Sequence, residues 1–244
     1  MPERAFCRDG KMKHTCSLLL FFIAFFPTHG YPLTWELGAV GGGGLCLSYG
    51  SYLDSKEAML AELGSATPGK LGSTKRELFP GWSVGGYAEA GLLDWFAIRA
   101  EPRVSFMGAS RLALTDGGAP FDHYGFYFYS VSLPILARFK IALGPGFMCL
   151  SAGPFLAVTA GGLTIVDTYA SSTTTVSIAP AFFFGLAGGV GYTLALGPGI
   201  CALEARADWA LTSVAPKYRL GGEVFPAGLN VMLSYGLPVG GGRK

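Results

Sequence analysis

Eleven ionisable side chains fall at alternate positions along predicted strands, and they are the residues of this chain that could do chemistry. The acids are Glu36, Glu89, Glu101, Glu204 and Asp208, and the bases are Arg99, Arg103, Arg111, Arg138, Lys140 and Arg206. A carboxylate pair could perform acid–base catalysis, but arginines at neighbouring positions keep carboxylates ionised. Five acids beside six bases therefore favour a network of ion pairs over catalysis or an ion-selective pore.

Histidine and cysteine, the other residue types that could support catalysis or bind a metal, are too scattered for either role. They are His14, His29 and His123, and Cys7, Cys16, Cys46, Cys149 and Cys201. The first two histidines and the first two cysteines lie in a predicted leader, and no CxxC spacing occurs. We expect the last three cysteines to be small apolar strand residues. The sequence predicts no enzyme activity, no cofactor and no metal site.

The stretch from Gly81 to Leu114 shows the element that positions the charges. Its residues alternate with a period of two over about thirty positions, which is strand geometry. One face carries Glu89, Arg99 and Glu101, and the other is apolar. A long hairpin with one charged and one continuous apolar face is typical of a transmembrane β-barrel, with the apolar side toward lipid. A half-buried hairpin of a soluble protein is the alternative at this point.

The same alternation predicts eight strands in the chain. They are Trp35–Tyr49, two strands within Gly81–Leu114, Phe126–Ile141, Phe147–Ala160, Ala181–Leu194, Ile200–Ser213 and Leu229–Leu237. Short connections, including Leu-Gly-Pro-Gly at 143–146 and at 196–199, alternate with long loops at Tyr52–Phe79, Thr115–Gly125, Gly161–Ser177 and Ala215–Phe225. The sequence therefore predicts an all-β fold, an eight-stranded antiparallel up-and-down transmembrane β-barrel.

Membrane helices are the rival interpretation of two uncharged runs, Ile141–Val166 and Thr168–Leu203. About 20 apolar residues would span a bilayer as a helix. Gly-Pro-Gly interrupts both runs, however, and each half keeps the period of two. The strand interpretation is therefore favoured.

The N-terminus carries a predicted signal peptide over residues 1–30. Lys11, Lys13 and His14 precede the apolar run LLLFFIAFF at 18–26, which is too short to span a bilayer as a helix. Met12 is a possible true start. The barrel is predicted over 31–239 and a short tail over 240–244. Half of the chain is hydrophobic and its net charge is only +2, which argues against a nucleic-acid partner.

Four segments of the chain resemble the PorT-like outer-membrane β-barrel family. They are SLPILARF at 132–139, LSAGPFL at 150–156, GLAGGVGY at 185–192 and LEARA at 203–207. The resemblance covers roughly Gly81 to Leu237, and small barrels of the OmpA and OmpW type share the architecture. It implies an eight-stranded barrel in a bacterial outer membrane, with membrane lipid and the barrel-assembly machinery as partners. Such barrels commonly end on an aromatic residue that this machinery reads, and we expect Tyr235 to serve here.

The predicted barrel is narrow, which limits what it can do. Eight strands leave an interior that side chains fill, so we expect the charges to pair across the lumen and close it. We therefore expect a monomeric structural or surface-interaction, adhesin-like protein whose four extracellular loops meet a ligand or a host surface. The alternative is a small transporter that passes hydrophobic or small solutes. For that alternative, Pro102, Pro134 and Pro154 would mark a gap in the wall.

The turns also predict a strand register. If Leu92 pairs with Phe96, facing positions sum to 188, which places Glu89 opposite Arg99. Pairing Leu196 with Gly199 places Gly191 opposite Glu204, Gly189 opposite Arg206 and Ala187 opposite Asp208. Small residues would then face charged ones and leave room for long side chains in the lumen.

Overall fold

The computed structural model describes residues 33–50, 73–114, 120–169, 172–178, 180–214 and 223–239. The predicted signal peptide and the C-terminal tail lie outside these ranges. Eleven strands form one antiparallel sheet. They are β1 (Thr34–Tyr49), β2 (Ser73–Glu77), β3 (Phe79–Leu93), β4 (Phe96–Ala100), β5 (Arg103–Leu114), β6 (Pro120–Leu143), β7 (Gly146–Tyr169), β8 (Ser172–Ile178), β9 (Phe182–Leu196), β10 (Gly199–Ala210) and β11 (Phe225–Val239).

The sheet closes on itself as an eight-stranded barrel. The first and last strands, β1 and β11, pair along all of β11 and all but the first residue of β1, and β6 pairs with β7 to complete the ring. Three strands of the barrel are each made of two segments, namely β2 with β3, β4 with β5, and β8 with β9. The two segments of each pair lie side by side with a common neighbouring strand, which is β5, β6 and β7 respectively. The predicted fold class is therefore confirmed.

Two of the tight connections are two-residue turns with the predicted sequence Leu-Gly-Pro-Gly. Leu143 pairs with Gly146 and Leu196 with Gly199. The first central residue of each turn is glycine with a positive φ, 61° at Gly144 and 60° at Gly197. A type II′ hairpin turn requires a positive φ at this position, and proline suits the φ of about −80° at the next one. These residues therefore fix the register of the flanking strands.

The strands extend further than the sequence predicts, so three of the predicted loops are shorter than expected. Most of Gly161–Ser177 belongs to β7 and β8, and β6 begins at Pro120, inside the predicted loop Thr115–Gly125. β2 likewise lies within the predicted loop Tyr52–Phe79. Backbone pairing continues here without apolar alternation because Thr-rich segments such as STTTVSI at 172–178 favour strands, whichever face they present.

The outer face of the barrel is apolar and ends in an aromatic belt at each rim. Toward the long loops lie Tyr49, Trp82, Phe106, Tyr129, Trp209 and Phe225, and toward the tight turns lie Trp95, Phe96, Phe139, Phe147, Tyr192 and Tyr235. On β11, Phe225 and Tyr235 are ten residues apart. That distance is about 33 Å along a strand, and about 25 Å along the barrel axis when the strands are tilted by about 40° from it. An apolar band of this height matches that of transmembrane barrels.

No helix in the described residues is long and apolar enough to cross a membrane.

Candidate functional site

The interior of the barrel is filled by charged side chains that face one another across the lumen. Ten of the eleven predicted residues have described side chains, and all but Lys140 are less than 9% exposed. Arg111 belongs to β5, but its side chain lies outside those that the structure describes. Among the described ten, five acids face five bases, so the interior has no net formal charge.

Glu89 is the centre of the network on the side of the tight turns. Its carboxylate is 2.7 Å from Arg99 Nε, 2.5 Å from Arg138 Nη1 and 2.5 Å from Lys140 Nζ. The predicted register places Glu89 directly opposite Arg99, and the structure confirms this pairing. The predicted pair Leu92–Phe96 is wrong, because a bulge shifts the register between Gly91 and Leu93 and Phe96 pairs with Leu93. Arg138 and Lys140 reach the same carboxylate from β6. One acid therefore holds cations from two further barrel strands.

Glu101 and Glu204 extend the network across the barrel. The Arg206 guanidinium, on β10, donates to both oxygens of Glu101, which lies between β4 and β5 on the far wall. Arg206 Nη2 also lies 2.8 Å from Glu204, which accepts a 2.5 Å hydrogen bond from the Ser151 hydroxyl. Arg99 Nη1 approaches Glu101 at 3.6 Å. These contacts join Arg206 to the Glu89 cluster through continuous ion pairs.

Tyr87 connects Glu36 to this network. Its hydroxyl donates to the Glu36 carboxylate, and its ring lies under the Arg99 guanidinium at 3.9 Å. A Cβ at Gly38 would lie 2.6 Å from Tyr87 Cζ, so only glycine leaves room for the ring there. The glycines opposite Glu204 and Arg206 act in the same way, because the predicted pairs Gly191–Glu204 and Gly189–Arg206 are confirmed.

Arg103 and Asp208 form a second layer nearer the long loops. Arg103 Nη2 lies 2.7 Å from Asp208 Oδ2, and Arg103 Nε donates to the Ser132 hydroxyl at 3.2 Å. The Asn230 amide also donates to Asp208 Oδ2, at 3.3 Å. Among the described side chains, no ion pair links this layer to the Glu89 cluster.

Sequence reasoning missed the aromatic cluster inside the lumen. Phe128, Phe155 and Phe183 are buried, and the ring of Phe183 meets each of the other two edge-to-face at 6.1 Å. The sequence did contain the information, because each of these residues lies an even number of positions from an inward-facing residue of the same strand, as Phe155 does from Ser151. The alternation was interpreted with a wholly polar inner face, so these three phenylalanines were not assigned to the lumen. Apolar rings therefore close the lumen on the loop side of the charges.

The geometry favours structure over chemistry. Every described carboxylate of the network contacts a cation or a hydrogen-bond donor, so none lies in a purely apolar pocket. Cys46, Cys149 and Cys201 are free thiols. Within the described ranges, no group of three His, Cys, Asp or Glu residues could hold a metal ion. What the arrangement can do is block the lumen with paired charges.

No protein-family model and no curated protein matches this sequence. Several solved structures of small outer-membrane barrels are similar to the chain in fold. The outer-membrane protein OprG from Pseudomonas aeruginosa has 10% identity and a TM-score of 0.47, covering 86% of this chain and 97% of OprG. Ail of Yersinia pestis has 10% identity and a TM-score of 0.37, covering 82% and 98%. Neisserial surface protein A has 12% identity and a TM-score of 0.36, covering 82% and 95%.

Proposed function

We propose that this chain is a bacterial outer-membrane protein with a closed lumen, whose rigid barrel presents four surface loops for binding. The proposal includes export by the signal peptide at 1–30 and assembly as a monomer in the outer-membrane lipid. The structural or adhesin-like role rests on the loops, because binding residues concentrate in loops that a rigid scaffold positions.

The continuous ion network is the observation that supports a closed lumen. A path for solute through the barrel would have to separate Arg206 from Glu101 and Arg99 from Glu89, and these side chains are at most 2% exposed. Separating a buried ion pair leaves uncompensated charges and costs several kcal/mol per pair, roughly 3–5. Solute passage is therefore strongly disfavoured while the network is intact.

Passage of solutes through the wall is the second candidate function, and the prolines do not support it. Gly86 N donates to Pro102 O at 3.1 Å, and Glu101 N donates to Pro134 O at 3.0 Å. Because backbone hydrogen bonds bridge the break between β4 and β5, neither proline opens the wall there. Pro154 also keeps its place in the ladder, opposite Leu186.

Solute flux into liposomes that contain the purified full chain tests the closed lumen. We expect no flux of small sugars or ions above that of empty liposomes. The double variant Glu101→Ala with Arg206→Ala removes only the contact that crosses the lumen, so any flux above that of the native protein measures what this contact contributes to the barrier. Steady flux through the native protein would support transport instead.

Binding by intact cells tests the loops separately. Cells that display the chain would be applied to a panel of immobilised host matrix proteins and glycans. The control is a variant whose residues 51–72 are replaced by a Gly-Ser linker, with heat-modifiable gel migration verifying that the barrel still folds. Adhesion that disappears in the variant supports a surface-interaction role. Equal adhesion by cells with and without the native protein would contradict it.

A further inference from the structure

The seam between β1 and β11 joins the first and last strands of the barrel. Its register runs from Trp35 opposite Val239 to Tyr49 opposite Phe225. Separation of these two strands would turn the barrel into an open sheet with two unpaired edges. Unpaired edges invite pairing with other chains, and barrels avoid them by closing completely. Side chains that hold this seam together therefore protect the whole wall.

Tyr87 reaches from β3 across β1 to β11. Its register partner on β1 is Gly38, and the partner of Gly38 on β11 is Gly236. A Cβ at Gly38 would lie 2.5 Å from Tyr87 Cε1, and a Cβ at Gly236 would lie 2.8 Å from Tyr87 Cζ. The Tyr87 hydroxyl donates to the carboxylate of Glu36, which belongs to β1. One side chain of β3 therefore lies over both strands of the seam.

Met232 reaches in the opposite direction, from β11 across β1 toward β3. Its register partner on β1 is Gly42, and the partner of Gly42 on β3 is Ser83. A Cβ at Gly42 would lie 2.7 Å from Met232 Sδ, and the Ser83 hydroxyl donates to the same sulfur at 3.5 Å. A side chain of the last strand therefore covers the first strand and contacts the one beyond it.

Val40 lies between the two crossing side chains. It stands on β1 midway between Gly38 and Gly42, and it forms one buried cluster with Tyr87 and Met232. Close-packed side chains cannot move far without displacing their neighbours. Separation of β1 from β11 would pull Met232 off Gly42 and Val40, and it would pull Gly236 away from the Tyr87 ring. The backbone ladder of the seam therefore opens only when both crossings are broken.

We propose that Tyr87 and Met232 form a lock on the seam between the first and last strands. The lock makes local opening of β1 from β11 rare, and it disfavours exit of a hydrophobic solute between these two strands. It differs from the ion network in what it holds, because the network fills the lumen and the lock joins the wall. The inference does not depend on the surface role, since the lock acts whether or not the loops bind a partner.

Native-state hydrogen exchange of the full chain in detergent micelles, followed residue by residue by nuclear magnetic resonance, tests the lock. Exchange of a backbone amide reports how often its hydrogen bond opens locally. The test variant is Gly236→Ala, because the three atoms nearest to the new Cβ all belong to the side chains of Tyr87 and Glu36. We expect amides of β1 and β11 to exchange at least about tenfold faster, as overpacking of the usual size predicts. Amides of β6 and β7 should stay close to their native rates.

Gly41→Ala is the matched control on the outer face of the same seam. Gly41 pairs with Leu233 on β11 and Val84 on β3, and its Cβ would meet nothing closer than 3.6 Å. Seam amides should therefore keep native exchange rates in this variant. Equal exchange at the seam in the two alanine variants would overturn the proposal. Acceleration of β6 and β7 amides as large as that of the seam would also overturn it, because the effect would then be global.

A second pair of variants keeps the test open if Gly236→Ala does not fold. Tyr87→Phe retains the ring and removes only the hydroxyl that donates to Glu36. Hydrogen bonds to charged groups are among the stronger ones, so seam amides should again exchange about tenfold faster. Tyr192→Phe is its control, because that hydroxyl donates to the Leu143 carbonyl at 2.8 Å, on β6 and away from the seam. Native seam exchange in Tyr87→Phe, or equal acceleration in Tyr192→Phe, would overturn the lock.

Discussion

The Nε atom of Arg99 donates a 2.7 Å hydrogen bond to the Glu89 carboxylate, and both side chains are 2% exposed. The two residues face each other across the first hairpin of the barrel. Arg138 and Lys140 contact the same carboxylate, so Glu89 is an ion-pair partner of three cations. The stability of the lumen network therefore depends on this one acid more than on any single one of its partners.

Glu89→Ala should destabilise the barrel strongly, because it leaves Arg99 and Arg138 buried without their closest acid. Removing one partner of a buried ion pair costs roughly 3–5 kcal/mol. We expect a fall of that size in the free energy of unfolding, measured by urea denaturation in lipid vesicles with tryptophan fluorescence. Lys140→Ala is the control, because Lys140 is 22% exposed and solvent-screened pairs contribute at most about 1 kcal/mol.

The double variant Glu89→Ala with Arg99→Ala measures the pairing directly. Removal of both partners leaves no uncompensated charge between them, so the combined loss should be smaller than the sum of the two single losses. The difference should reach about 1–3 kcal/mol. Two losses that simply add would contradict a direct Glu89–Arg99 interaction.

Gly189→Ala should be costly although it adds only one methyl group. A Cβ at Gly189 would lie 2.6 Å from Glu204 Oε1 and 2.6 Å from the carbonyl oxygen of Ala205, so the network or the strand must shift. Overpacking of this kind costs about 1–3 kcal/mol. The neighbouring Gly188 is the matched control, because its Cβ would meet nothing closer than 3.4 Å. Equal unfolding free energies for the two alanine variants would contradict the packing described here.

The sequence predicts the barrel well because one physical pattern determines it. A period of two with a lipid-facing apolar side fixes each strand and its inward residues, and the Leu-Gly-Pro-Gly turns fix the register. Facing pairs such as Gly189 and Arg206 can be found by counting residues outward from the turn on both strands. These features are local, and a local pattern can be read from one chain.

Features that depend on distant parts of the chain could not be predicted in the same way. The contact between Arg206 and Glu101 joins residues 105 positions apart, and no turn relates them. Arg138 and Lys140 on β6 also contact Glu89, although β6 and β3 are not neighbouring strands in the sheet. The extension of β7 to Tyr169 depends on a neighbouring strand that supplies hydrogen bonds, and the sequence of β7 alone does not show that neighbour. Sequence therefore indicates which residues face inward and which pair across a tight turn, but not which of them meet across the lumen.

An arginine scan of the outer face should depend on depth if that face contacts lipid. Leu229 lies between the two aromatic belts of β11, whereas Leu237 lies beyond Tyr235 on the turn side. Arginine costs about 2–4 kcal/mol at the bilayer midplane and about 0–1 kcal/mol near the interfaces. We expect Leu229→Arg to lower the unfolding free energy in lipid vesicles by the larger amount and Leu237→Arg by the smaller. Equal costs would contradict a lipid-facing belt at this position.

The orientation of the barrel is tested by cysteine labelling of intact cells. Tight turns of outer-membrane barrels face the periplasm and long loops face outward, so the Gly197–Pro198 turn and residues 51–72 should lie on opposite sides. On a background of Cys46→Ala, Cys149→Ala and Cys201→Ala, a single cysteine would replace Ser65 or Pro198.

A membrane-impermeant maleimide should label the Ser65→Cys variant on intact cells. It should label the Pro198→Cys variant only after permeabilisation, because the outer membrane then no longer shields the periplasmic rim. The reverse pattern would invert the topology and remove residues 51–72 from the cell surface, and with them the surface role proposed for that loop.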